Sequence, residues 1–208
     1  MRKKSHISLA KHIVRISDMK GFDKHRKALY FGSILPDCKP SFLTTPHEIT
    51  GTIDLVEKGM EKLTHGYKNI NELSTGYFTR LGEVLHYVAD YFTFPHNKEY
   101  KGSLKDHCVY EGELKLRLRE YIKNIGKKSI AEWKKDINLE DMSRFTSCND
   151  IFKYIIEQHR MYIEREDYSI EEDCRYIVNV CSMVAMALVH VCVAAMSPVL
   201  ELKPATAH

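Results

Sequence analysis

Residues 176–200 read YIVNVCSMVAMALVHVCVAAMSPVL, without one aspartate, glutamate, lysine or arginine. A run of that length is long enough to cross a bilayer as a helix. Asn179, Ser182 and His190 interrupt it, however, and aromatic or basic anchors at its ends are thin. A helix that is apolar on every side is also what the centre of a helical bundle requires. We read the run as that buried central helix, with a membrane span as the alternative. His190 is then expected to be buried and hydrogen-bonded inside the bundle.

The rest of the chain also reads as helix. Ser5 is expected to cap a helix over 5–19, with apolar residues at helical spacing from Ile7 to Ile16. A second helix is expected over 23–35, stopped by Pro36 and followed by a proline-bearing loop. Pro46 opens a segment to about 65. Asn71 or Ser74 caps the helix that carries His86. Ser103 caps another, running to about 125, and further helices are expected over 149–166 and 169–196. Strand-like alternation is scarce and no repeat appears. A chain of 208 residues suits one domain with a substantial core. The expectation is an all-α, single-domain multi-helix bundle over 1–208.

Composition narrows the function. Apolar content of 44% and charged content of 28% are ordinary for a soluble globular protein. A net charge of +3 gives no argument for a nucleic-acid partner, and none is expected. The start MRKKSHISLAKHIV has no apolar signal region, and the six cysteines form no CxxC. A cytoplasmic protein with reduced thiols is expected.

The chemistry concentrates in the window 86–111, where His86, Asp90, His96, His107 and Glu111 follow one another. Imidazoles and carboxylates are the donors that hold Zn2+ or a similar ion. Residues four apart share a helix face, so His86 with Asp90, and His107 with Glu111, can each point at one ion. Pro95 should break the helix between them and leave His96 at a turn. With 11 histidines in the chain, chance supplies roughly one or two His-x3-acid pairs. The spacing alone is therefore weak, and the order of the donors carries the argument. His6 near the chain start, Asp37 after Pro36, and His47 after Pro46 stand at helix starts or turns, where side chains can reach a shared cleft.

In that order, Ser5-His6, Asp37, His47, His86-x3-Asp90, Pro95-His96 and His107-x3-Glu111, the chain resembles the bacterial zinc-dependent phospholipase C family, itself related to the S1/P1-type nucleases. The resemblance covers roughly residues 5–115. It implies the all-helical phospholipase C/P1 nuclease fold and two or three zinc ions. His96, His107 and Glu111 would hold one ion, and Asp37, His47, His86 and Asp90 a second. Asp90 would bridge to a third ion shared with His6. Asp37 or Glu111 would steer or deprotonate an attacking water. The implied substrate is a phospholipid or related phosphodiester, with transient contact to a membrane surface.

The chain also departs from that pattern. In secreted members the third ion is completed by the amine and carbonyl of an N-terminal tryptophan. Here Met1 is expected to be retained before Arg2, without that partner. Asp37 is followed by Cys38 rather than an aromatic residue, so choline specificity is not carried over.

Two other functions fit the same residues. An S1/P1-like nuclease or nucleotidase would use Tyr87, Tyr91, Phe92 and Phe94 as stacking platforms. A non-catalytic, zinc-stabilised helical module would bind fewer ions and turn nothing over. The lysines around Trp133 form a candidate lipid-docking surface, although an exposed helix with a half-buried tryptophan is the plainer reading.

Overall fold

The computed structural model describes residues 1–17, 19–39, 48–65, 67, 73–127, 129–165 and 168–196. Among the described residues the chain is all-α, with no strand. Its helices are α1 (Lys3–Ile16), α2 (Lys20–Lys24), α3 (Arg26–Gly32), α4 (Ile49–Thr64), α5 (Thr75–Tyr91), α6 (Leu104–Lys127), α7 (Ile130–Asp136), α8 (Cys148–Ile163) and α9 (Ile170–Met196). Short 3-10 turns stand at Pro36–Cys38 and Phe94–His96.

The charge-free run forms most of α9, which packs against α4, α5, α6 and α8. Among the described residues α9 is the one helix long and apolar enough to cross a membrane, and 72% of its apolar window is buried within the fold. That is the position of a core helix. Each fully buried Leu, Val or Ile side chain there contributes roughly 1.5–3 kcal/mol of transfer free energy. His190 lies on the outward side of α9 between buried Val189 and Val191, so it is exposed rather than buried and hydrogen-bonded. The expectation for His190 is thus corrected.

Other boundaries differ from expectation for local reasons. Helix α1 starts at Lys3, and Ser5 is fully buried inside it rather than capping it. The helix expected over 23–35 breaks at His25, whose backbone (φ −106°, ψ 18°) separates α2 from α3. Helix α7 opens on Ser129, whose hydroxyl accepts the Glu132 N–H. It buries Trp133 edge-on against His12, with ring centres 5.0 Å apart, so that indole is core and not a docking surface. Ser103 does cap α6, exchanging hydrogen bonds with Asp106, and Ser147 does the same for α8 with Asp150.

Helix α5 lies against α3, α4 and α9 and is buried along most of its length. Its crossing with α3 is backbone on backbone. A Cβ on Gly82 would stand 2.5 Å from the Leu29 carbonyl oxygen and 2.6 Å from the Ser33 nitrogen. A Cβ on Gly32 would overlap the Thr79 carbonyl. Glycine is therefore what allows the Ser33 backbone to approach the α5 face that carries His86.

Candidate metal centre

Helix α5 projects His86 and Asp90, one turn apart, into the fully buried space beneath α1 and α3. His6 arrives from α1 and stacks on His86 with ring centres 3.9 Å apart and planes 16° from parallel. Asp90 splits its oxygens between them: Oδ1 is 3.4 Å from His6 Nε2, and Oδ2 is 3.3 Å from His86 Nε2. Asp37, on the Pro36–Cys38 turn, places Oδ1 3.6 Å from His86 Nε2. The Ser33 carbonyl accepts a hydrogen bond from His86 Nδ1–H at 2.9 Å. A carbonyl only accepts, so the proton must be on Nδ1 and the Nε2 lone pair faces the carboxylates. Neither ring nitrogen of buried His6 makes a hydrogen bond.

A second group forms where the Phe94–His96 turn meets the start of α6. Nε2 of His96 and Nε2 of His107 lie 3.1 Å and 3.2 Å from the same Glu111 Oε1. Pro95 takes the first turn of the 3-10 helix, where its missing N–H costs nothing, and leaves His96 on the turn as expected. The α-amine of Met1 stands between the two groups. It is 2.7 Å from Asp90 Oδ1, 2.9 Å from Glu111 Oε1 and 2.8 Å from His96 Nε2.

The electrostatics of the cluster favour a bound cation. Burial pushes the His86 and His96 imidazoles down from their ordinary value, and the Met1 ammonium adds to this. Burial works to raise the Asp90 carboxyl, but the Met1 ammonium and the imidazoles of His96, His6 and His86 hold it well below the carboxylate range. Glu111 is also held down against burial, by hydrogen bonds from His107 and His96 and by the same ammonium. Burial lowers the Met1 amine, and Asp90 and Glu111 outweigh it, so the amine is raised. The carboxylates of Asp90 and Glu111 thus both face one ammonium.

The donor set and its spacing fit zinc. Nitrogen and oxygen ligands at 2.0–2.1 Å in a tetrahedron lie about 3.3 Å from one another. The gaps between His6 or His86 and Asp90, and between His96 or His107 and Glu111, run from 3.1 to 3.4 Å. Two groups, His6–His86–Asp90 and His96–His107–Glu111, could each hold an ion.

Of the residues singled out in the sequence, His6, Asp37, His86, Asp90, His96, His107 and Glu111 converge on this one region. His47 lies outside the described residues. The sequence reading missed two groups. One is the Met1 amine, set aside in the sequence because no tryptophan stands there, although the family pattern places an N-terminal amine at the third ion. The other is the Ser33 carbonyl, a backbone acceptor with no side-chain signature. Among the aromatic residues weighed as stacking platforms, Tyr91 and Phe92 are fully buried and unable to meet a base.

No curated protein and no solved structure matches the chain. A family model described as zinc dependent phospholipase C matches residues 5–169, a span that holds every donor of both groups except the Met1 amine. With most of its length matched, the chain belongs to the zinc-dependent phospholipase C family.

Proposed function

We propose that the protein is a zinc-dependent phosphodiesterase that cleaves the glycerol–phosphate bond of a phospholipid. The observation that carries this reading is the convergence of four imidazole–carboxylate pairings from α1, α5, the Phe94–His96 turn and α6 at zinc-like donor spacing. When bound, zinc ions supply Lewis-acid chemistry: they hold non-bridging phosphate oxygens, offset charge developing on them, and bring the pKa of water toward neutrality.

The roles of the chain's own residues follow from where they sit. His96, His107 and Glu111 would hold one ion. His86 and Asp90, with Asp37, would hold a second, and His47 is assigned there by the family pattern. Asp90 turns one oxygen toward His86 and the other toward His6 and the Met1 amine, so it would serve a third ion as well. The Ser33 carbonyl keeps His86 in the tautomer that ligation needs. Glu111 Oε1 already faces three nitrogens, which suits a ligand. Asp37 sits at the edge, next to exposed Cys38, and is the carboxylate we assign to orient the attacking water and take its proton.

Beside His96 a mostly apolar recess of about 300 Å3, with Glu48, Lys98, Glu99 and Arg160 among its lining residues, offers room for part of a phospholipid. Leu104 and Val109, on the same helix as His107 and Glu111, are 80% and 62% exposed. Leu104, at the start of α6, supports brief contact with a membrane.

Purified protein is expected to carry at least two tightly held zinc ions per chain, seen by anomalous scattering at the zinc edge. It is expected to hydrolyse a short-chain phospholipid and leave single-stranded DNA intact. Asp90→Asn should abolish turnover, since one residue serves two ions. Fewer than two ions with no turnover in added zinc would favour the non-catalytic module, and turnover of DNA alone would favour the nuclease.

A further inference from the structure

Asp173, in the first turn of α9, is a carboxylate with no solvent exposure, and it lies beyond the segment matched by the family. Its two oxygens face different parts of the molecule. Oδ2 accepts the backbone N–H of Phe94 and the hydroxyl of Tyr110, each at 2.9 Å. Oδ1 accepts the Tyr162 hydroxyl at 2.7 Å and the Arg165 guanidinium at 2.8 Å. The Arg165 guanidinium also lies 3.6 Å over the Tyr162 ring.

Phe94 opens the turn that ends in His96, and Tyr110 stands between His107 and Glu111 on α6. The His96–His107–Glu111 group is therefore assembled from two segments that hydrogen-bond to one oxygen. We propose that Asp173 is a positioning residue for this group: through Oδ2 it fixes the Phe94–His96 turn against α6 and so sets the separation of the three donors, whereas Oδ1 serves the α8 side of the fold. Burial pushes the carboxyl up, to about 6, against the Phe94, Tyr162, Arg165 and Tyr110 donors, so at neutral pH it remains an acceptor toward all four. Losing a hydrogen bond made directly to a ligand typically costs 10–100-fold in metal affinity; Asp173 acts one step further out, through the neighbours of His96, His107 and Glu111, so the lower end of that range is expected.

The inference rests on the proposed metal centre, and its test separates the two. Asp173→Asn is expected to weaken zinc binding at one site by about 10-fold, measured by competition with a chromophoric chelator. Because that substitution also disturbs α8, Tyr110→Phe and Tyr162→Phe are compared beside it. Tyr110→Phe removes a donor from Oδ2 only, and should lower affinity for one ion and alter the visible spectrum of the Co2+-substituted protein. Tyr162→Phe removes a donor from Oδ1 only, and should reduce thermal stability while leaving zinc affinity and the Co2+ spectrum unchanged. Tight zinc in the wild type with unchanged affinity in Tyr110→Phe would overturn the positioning role alone, as would equal losses in both tyrosine variants. A wild type without tight zinc would overturn the metal centre and the inference together.

Discussion

Replacing Gly82 by alanine tests whether the α3–α5 contact is as close as described and whether the centre depends on it. Ordinary contact for a Cβ begins near 3.4 Å, whereas here the Leu29 oxygen would be 2.5 Å away, so the helices must part by about 0.9 Å. The atoms met are all backbone, and no rotamer change can relieve them. Overpacking of this kind costs roughly 1–3 kcal/mol, and the better helix propensity of alanine returns at most about 1 kcal/mol. A net loss of about 1–2 kcal/mol lowers Tm by roughly 2–8 °C in a chain of this size. The same displacement carries the Ser33 carbonyl away from His86 Nδ1, stretching a 2.9 Å hydrogen bond toward a length at which it no longer counts as one. Zinc affinity should fall with stability. Gly76→Ala is the matched comparison. Its Cβ would meet only Ser74 Oγ at 3.7 Å, so it should hold or raise Tm, by up to about 1 kcal/mol of helix propensity. Thermal melts monitored by circular dichroism, together with zinc content, decide the matter. A Gly82→Ala protein that melts at or above the wild type would refute the backbone-contact argument.

Two further outcomes are expected. His12 is buried, its imidazole pushed down to about 3 by burial and by Arg15, and Arg15 donates to its Nδ1. A depressed folded value means that its contribution to stability is complete above about pH 6.5 and is lost as pH falls toward 3. Relative to His12→Gln, the wild type should lose about 2 kcal/mol between pH 6.5 and pH 5, read from urea unfolding. A difference independent of pH would contradict this. Leu104→Asp should reduce binding and hydrolysis of phospholipid vesicles several-fold while sparing a soluble short-chain substrate. Equal losses on both would assign Leu104 to the fold instead of to docking.

The long elements were legible because their pattern is strong. The charge-free run could only be a core helix or a span, and the donor order across 86–111 marked the centre before any distance was known. Shorter features carried no such signal. The break at His25 falls in a stretch, GFDKHRK, with no proline and no glycine at the break itself, and the seven residues of α7 are too few for helical periodicity to show. The exposure of His190 depends on which side of α9 is left uncovered by its neighbours, which composition cannot report. Asp173 looked like an ordinary acidic residue of a helix start, since its partners come from positions 94, 110, 162 and 165. His47 lies outside the described residues, so its expected place with Asp37 and His86 is carried only by the family resemblance.

The stacked pair of His6 and His86 joins the first turns of α1 to a helix 80 positions further along the sequence. An ion held across that pair and Asp90 would act as a clasp on the whole chain, because no short stretch of the polypeptide could grip it alone. Free zinc at a thousand times its dissociation constant would then add about 4 kcal/mol to global stability. Chelation would loosen the amino-terminal helix and the core together, and resistance to proteolysis would follow metal supply.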